Sequence, residues 1–343
     1  MSVHSNLRRA CRAALALAIL AGPACAADAS LVARAEREGQ VHWYTTLLVE
    51  DAVRPLLDAF KRRHPAIAVE FVRASSTENA RKIVAEAEAG ATRADVFDGT
   101  TTAAVLMQAG LIEPYRAESA RDIPDQYKDP EGFWTAQVLY FQTLGYNADL
   151  VAATDVPKTF ADLLDTKWRG RIVWSVDDGL TSGAGFVANI LLTMGEQDGM
   201  AYLSRFKTQE IAAMRGGGNA VLKAVAAKKY PLGLPIFNHH TLIERAKGAN
   251  VDWVKLEPLI GFSNNIGLLK NAPHPDAGRL LIEFILSTDG QTALRNAHHL
   301  PASAKVDASD ARLKTGFRVN FISPAMAARH MARWQSVFSE LIR

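Results

Sequence analysis

The sequence predicts an α/β protein of two lobes, each a mostly parallel sheet flanked by helices and joined to the other by crossover strands. Three observations predict it. Short apolar runs alternate with helical segments at strand–helix spacing, the pattern of a parallel sheet covered on both faces. The strand-to-helix handovers repeatedly carry hydroxyls or glycines. Two extended stretches, 133–147 and 264–270, are placed to pass from one lobe to the other and back.

In chain order, 29–38 forms a leading helix closed by Gly39, and Val41-His42-Trp43-Tyr44-Thr45 a buried strand. The helix over 49–63 stops at His64-Pro65, because the residue before proline avoids the α region. A strand over 67–72 leads to Ser75-Ser76-Thr77-Glu78, a capping box that opens a helix ended by Gly90. The strand 95–97 runs into Asp98-Gly99-Thr100-Thr101 and a helix to Gln108. After the aromatic crossover 133–147, with Trp134, Tyr140, Phe141 and Tyr146, a helix that starts over 157–164 and is ended by Lys167-Trp168-Arg169-Gly170 begins the second lobe.

A strand over 171–175 follows, then Thr181-Ser182-Gly183-Ala184-Gly185 opens a helix to about 194. The strand 211–214 runs into Arg215-Gly216-Gly217-Gly218-Asn219 and a helix to 229. The strand 232–237 ends in Asn238-His239-His240, and Thr241-Leu242-Ile243-Glu244 reads as another capping box with Thr241 as N-cap. Helices over 275–287 and 324–341 close the chain.

The first residues read as a secretion signal. Arg8, Arg9 and Arg12 precede an apolar core over 13–21, too short to span a membrane, and Ala24-Cys25-Ala26 is a small-residue cleavage site. Cleavage after 26 removes three arginines and no acid, which leaves Lys+Arg and Asp+Glu equal at 36 each. A neutral chain argues against a nucleic-acid partner. Cys11 and Cys25, the only cysteines, leave with the signal, which removes disulfide, thiolate-metal and cysteine-nucleophile chemistry together.

Little points to catalysis. Gly183-Ala184-Gly185-Phe186-Val187-Ala188 matches a dinucleotide pattern but does not directly follow a strand, and there is no Walker loop, H-E-x-x-H or nucleophile elbow. The hydroxyl pairs Thr45/Thr46, Ser75/Ser76 and Thr100/Thr101 fall at the same end of one sheet, where helix N-termini converge and favour an anion. The glycines after Arg215 would let backbone N–H groups approach an anion closely. His239 and His240 sit where a strand hands over to a helix, the ligand side of an open α/β sheet. His42 on its strand reads as a core histidine, and His298-His299 as loop polarity.

The order of Val41-His42-Trp43-Tyr44-Thr45, Ala94-Asp95-Val96-Phe97-Asp98, Gly110-Leu111-Ile112-Glu113-Pro114-Tyr115, Thr181-Ser182-Gly183, Arg215-Gly216-Gly217, Asp289-Gly290-Gln291 and Leu300-Pro301-Ala302 resembles the periplasmic substrate-binding proteins of ABC importers. The branch is the one that contains the ferric-iron-binding proteins, with a type II periplasmic-binding fold. The resemblance covers essentially the whole chain after the signal. It implies a solute enclosed between the lobes, docking on an inner-membrane ABC permease, a periplasmic location, a monomer, no cofactor and no enzyme activity. Iron binders of the branch typically use two adjacent tyrosines in the second lobe. Here Asn238-His239-His240 stands at that corner, and imidazole suits softer metals than ferric iron.

The expected ligand is therefore a small anion bearing phosphate, phosphonate or carboxylate. Its expected contacts are Tyr44, Thr45, Thr46, Ser75, Ser76, Thr100, Thr101, Tyr140, Ser182, Gly183, Arg215, Gly217, Asn238 and His239, with Phe237 packing an organic body. The alternative is ferric iron or another transition metal as cargo through His239 and His240; an enzyme on the same fold is more distant. The expected organisation is signal 1–26, lobe 1 from 27–138 with 266–300, and lobe 2 from 139–265 with 301–343.

Overall fold

The computed structural model describes residues 29–342; the signal segment lies outside the described residues. Helix α1 (Ala29–Glu38) leads into β1 (Gln40–Thr45), α2 (Arg54–Arg63), β2 (Ala68–Arg73), α3 (Ser76–Glu88), β3 (Val96–Asp98), α4 (Thr100–Gln108) and the short β4 (Ile112–Glu113). Strand β5 (Thr135–Asn147) crosses to β6 (Ile172–Ser175), α5 (Gly183–Lys207), β7 (Ala212–Met214), α6 (Gly217–Ala226), β8 (Leu232–Phe237), α7 (His240–Ala246) and β9 (Val251–Trp253). The chain returns on β10 (Leu259–Leu269) to α8 (Pro275–Leu286), α9 (Thr288–Asn296), β11 (Leu300–Pro301), β12 (Val319–Phe321) and α10 (Pro324–Leu341).

The two lobes share one hydrogen-bonded path, β2-β1-β3-β10-β5-β8-β6-β7. Strands β1, β2 and β3 pair in parallel, as do β6, β7 and β8. The crossovers β5 and β10 pair with each other antiparallel and join the two parallel groups. Every residue of β10 is buried, which explains its near-continuous apolar run. Where β10 leaves its register with β5, between Asn264 and Asn265, the irregularity re-aims the polar side chains of the crossover.

Each parallel group packs its own core. Trp43, Leu56, Phe60, Phe284 and Ile285 are buried around the first. Trp174, Phe186, Phe206 and Phe338 are buried around the second, with the Phe338 ring 4.9 Å from Trp174 edge to face. Helix α10 contributes Phe338, so the C-terminal helix belongs to the core of the second group.

One helix differs from the expectation. In place of a helix over 157–164 there are short 3-10 turns, Ala161–Leu164 and Thr166–Trp168. The Asp162 carboxylate takes the N–H groups of Lys158 and Thr159, and Asp165 takes that of Lys167, so side chains satisfy donors a longer helix would use. Helix α5 breaks where the sequence expects it to stop, after 194, at Gly195, whose φ is 80°, and a second helical stretch continues to Lys207. Among the described residues, no helix is long and apolar enough to cross a membrane.

Candidate functional site

A cavity of about 450 Å³ opens between the two parallel groups. Its first wall is made by the N-termini of α3 and α4. Ser75 caps α3, and its capping box with Glu78 is formed in full. Ser76 Oγ takes the Thr102 N–H at 2.8 Å and meets Thr102 Oγ1 at 2.8 Å, which ties the two helix starts together. Gly99 permits this approach: its φ is 122°, and a Cβ there would stand 2.5 Å from Ser76 Oγ and 2.6 Å from Thr102 Oγ1. First-turn N–H groups of two helices thus face one space, and Arg73 and Arg81 line it. Among the described residues, neither arginine forms an ion pair.

The floor comes from the crossovers. Tyr140 on β5 packs 4.7 Å from Phe237 and 5.6 Å from Phe262, ring centre to ring centre. Asn264 on β10 donates to the Tyr140 hydroxyl at 3.1 Å and to Thr46 Oγ1 at 2.9 Å. Thr46 Oγ1 in turn donates to Asp98 at 2.6 Å. Burial pushes both Asp98 and the Tyr140 phenol up, so Tyr140 presents a neutral hydroxyl.

The opposite wall carries Asp177, Asp178, Thr181, Arg215 and Asn219. The glycine turn that the sequence offers as an anion cradle already holds a carboxylate. Asp177 Oδ2 accepts the Gly216 and Gly217 N–H groups at 2.7 and 2.6 Å. Arg215 stands 3.9 Å from the same carboxylate and is 82% exposed.

Of the expected contacts, Thr46, Ser75, Ser76, Thr100, Thr101, Tyr140, Arg215 and Gly217 line the cavity. Six others stand elsewhere. Tyr44 turns to the outer face and donates to Glu86 at 2.7 Å. Thr45 is fully buried and donates to Asp98. Ser182 caps α5 by accepting the Ala184 N–H and donates its own hydroxyl to the Gly179 carbonyl, and Gly183 is pressed against the Phe338 ring. Asn238 is buried, donating to the Leu313 carbonyl, and His239 lies behind Tyr140, its ring stacked at 5.7 Å. The capping box at Thr241 does not form: α7 begins at His240, and the Thr241 hydroxyl donates back to the Asn238 carbonyl.

The sequence reading missed Arg73, Arg81, Phe262, Asn264 and His299. Arg73 ends a strand on the ligand side, and Ser263-Asn264-Asn265 is a polar run inside an apolar strand; both were available signals. His299, taken as loop polarity, is 1% exposed and reaches the cavity with His240. His239 lies 4.5 Å from His240 and 5.2 Å from His299, ring centre to ring centre. Burial, then the neighbouring imidazoles, lowers His239 well below the ordinary histidine range; burial first lowers His240 to about 3 and His299 to about 4. All three are neutral at pH 7. Their ring nitrogens do not converge on a metal-sized point: among the described residues, the one metal-compatible group of three lies elsewhere.

A cleft walled by two α/β groups and floored by two crossover strands defines a solute-binding protein. Residues 93–327 match the family of bacterial extracellular solute-binding proteins, and the chain belongs to that family. It is 26% identical over 257 residues to an Fe(3+)-binding periplasmic protein of Serratia marcescens, covering 72% of this chain and 73% of the relative. It is 22% identical over 223 residues to a putative 2-aminoethylphosphonate-binding periplasmic protein of Salmonella typhimurium, covering 63% and 66%. Its fold resembles the periplasmic binding protein AfuA of Actinobacillus pleuropneumoniae with fructose-6-phosphate bound, at TM-score 0.73 and 19% identity over 88% and 99% of the two chains.

Proposed function

We propose that the protein captures a small anionic solute bearing phosphate, phosphonate or carboxylate and delivers it to an inner-membrane ABC permease from the periplasm. The observation that carries this reading is the first wall: two helix N-termini and two arginines face one cavity. Hydroxyls, first-turn N–H groups and guanidinium forks are the donors such an anion takes. In this reading Ser76, Thr100 and Thr101 sit beside the anion, while Tyr140, Phe237 and Phe262 pack its organic body. Lobe 1 (27–138 with 266–300) and lobe 2 (139–265 with 301–343) close over it, bending at the crossovers. The protein acts as a binding protein without catalysis.

Transition-metal cargo is the second reading. It is favoured by the two neutral imidazoles that line the cavity, His240 and His299, and by the likeness to the Serratia protein. Calorimetric titration with sugar phosphates and phosphonates separates the readings. Arg73→Ala and Arg81→Ala should each weaken an anion at least tenfold, as expected for loss of one charge-assisted contact. Unchanged affinity in both variants would remove the first wall from the site.

A further inference from the structure

A second group of ligating side chains lies outside the cleft, at the outer edge of the first parallel group. His42 is on β1, Asp95 immediately precedes β3, and His274 caps α8. One ligand atom from each lies within 4.8 Å of the other two. We propose that His42, Asp95 and His274 bind a divalent transition metal, Zn²⁺ by the chemistry of the donors, with Glu70 as a fourth ligand.

Two imidazoles and a carboxylate are a zinc donor set, whereas ferric iron calls for more oxygen. Asp95 is fully buried, yet its only ionic partner among the described residues is the His274 ring, at 3.1 Å. Its oxygens also accept the backbone N–H groups of His42 and His274, at 2.7 and 2.6 Å, which fixes the carboxylate between the two histidines. Glu70 is the direct cross-strand partner of His42 in β2, and its carboxylate lies 3.4 Å from His42 Nε2. The Arg93 carbonyl meets His42 Nδ1 at 2.9 Å, and Gln40 meets His274 Nε2 at 2.9 Å. The Arg93 carbonyl orients His42 as the outer partner of a zinc-binding histidine does; the Gln40 amide nitrogen donates to His274 Nε2, so ligation through His274 Nδ1 requires that amide to turn its oxygen to the ring.

With Nδ1–H of His42 given to that carbonyl, the Nε2 lone pair faces a carboxylate. In the neutral ring two acceptors then face each other, an arrangement that a bound metal ion or a proton on Nε2 relieves. In a tetrahedral zinc site ligand atoms stand roughly 3.4 Å apart. The group therefore closes by a modest movement of partly exposed imidazole rings. A side cavity of about 400 Å³, lined by His42 and Glu70, gives the ion entry from solvent. Bound there, the ion would clasp β1 and β2 to the start of α8 without touching the cleft.

The test is zinc titration of the purified chain without a histidine tag, read by calorimetry and by metal content after dialysis. One Zn²⁺ per chain is expected, weakened at least tenfold by His42→Gln and by His274→Gln and unchanged by His330→Gln. Cobalt substitution gives a second readout that does not depend on any variant folding. The wild-type chain should show the intense visible bands of four-coordinate Co²⁺, and zinc should bleach them. Absence of stoichiometric zinc, absence of those bands, or zinc binding that survives both substitutions overturns the assignment.

Discussion

The buried imidazoles at the cleft floor set how the protein responds to acid. An unfolded histidine takes a proton near pH 6.5, whereas His299 in the fold waits until about pH 4 and His240 until about 3. Their folded pKa values are depressed, so at pH 7 both states are neutral and nothing is lost. As pH falls through 6.5 the unfolded chain binds protons that the folded chain refuses. Each histidine then removes about 1.4 kcal/mol per pH unit until its folded value is reached. Urea midpoints should therefore drop steeply between pH 6.5 and 4, and His299→Gln should flatten that slope; equal slopes would mean that His299 takes its proton in the fold. At this scale the sequence was partly legible. Hydroxyls at strand ends were visible, but a local reading does not reveal whom a hydroxyl faces. Thr45 and Thr46 give theirs to Asp98, a carboxylate about fifty positions away in the chain. Ser182 serves its own helix, and His299 becomes a cleft residue only because β11 lies against β5.

Two helix starts, α3 and α4, carry the proposed recognition wall, and Gly99 lets them approach. Gly99→Ala places a methyl against Ser76 Oγ and Thr102 Oγ1 in a backbone conformation that L side chains rarely adopt. The expected result is destabilisation of about 1–3 kcal/mol together with weaker anion binding, read by denaturation and calorimetry on the same variant. Loss of stability with unchanged affinity would separate the paired helix starts from recognition. Elements were the most legible scale. The capping box at Ser75 formed as its sequence dictates, because its partners lie within four residues. The box expected at Thr241 did not form. There the chain enters the helix from a buried strand, and the Thr241 hydroxyl finds the Asn238 carbonyl first. The crossovers were legible as long apolar runs, but their antiparallel pairing depends on residues more than a hundred positions apart.

For the whole molecule, the order of strand–helix units was enough to foresee two α/β groups and the cleft between them. What the order did not contain is the balance of charge across that cleft. The first wall offers Arg73 and Arg81 beside Glu78, whose carboxylate is held in its capping box, while the second presents Arg215, Asp178 and an Asp177 already bound to its own glycine turn. In the proposed reading the anion sits on the first wall, and closure brings Arg215 over it. Thermal unfolding of the purified chain against sugar phosphates, phosphonates, organic acids and metal salts, each with and without chelator, tests this most directly. A solute that binds the folded chain at a hundred times its Kd adds about 2.7 kcal/mol. A phosphate-, phosphonate- or carboxylate-bearing solute should raise the melting temperature by several degrees, chelator should leave the rise intact, and Arg73→Ala with Arg81→Ala should abolish it. A rise given only by metal salts and reversed by chelator, with the arginine variants unaffected, would contradict the proposed reading.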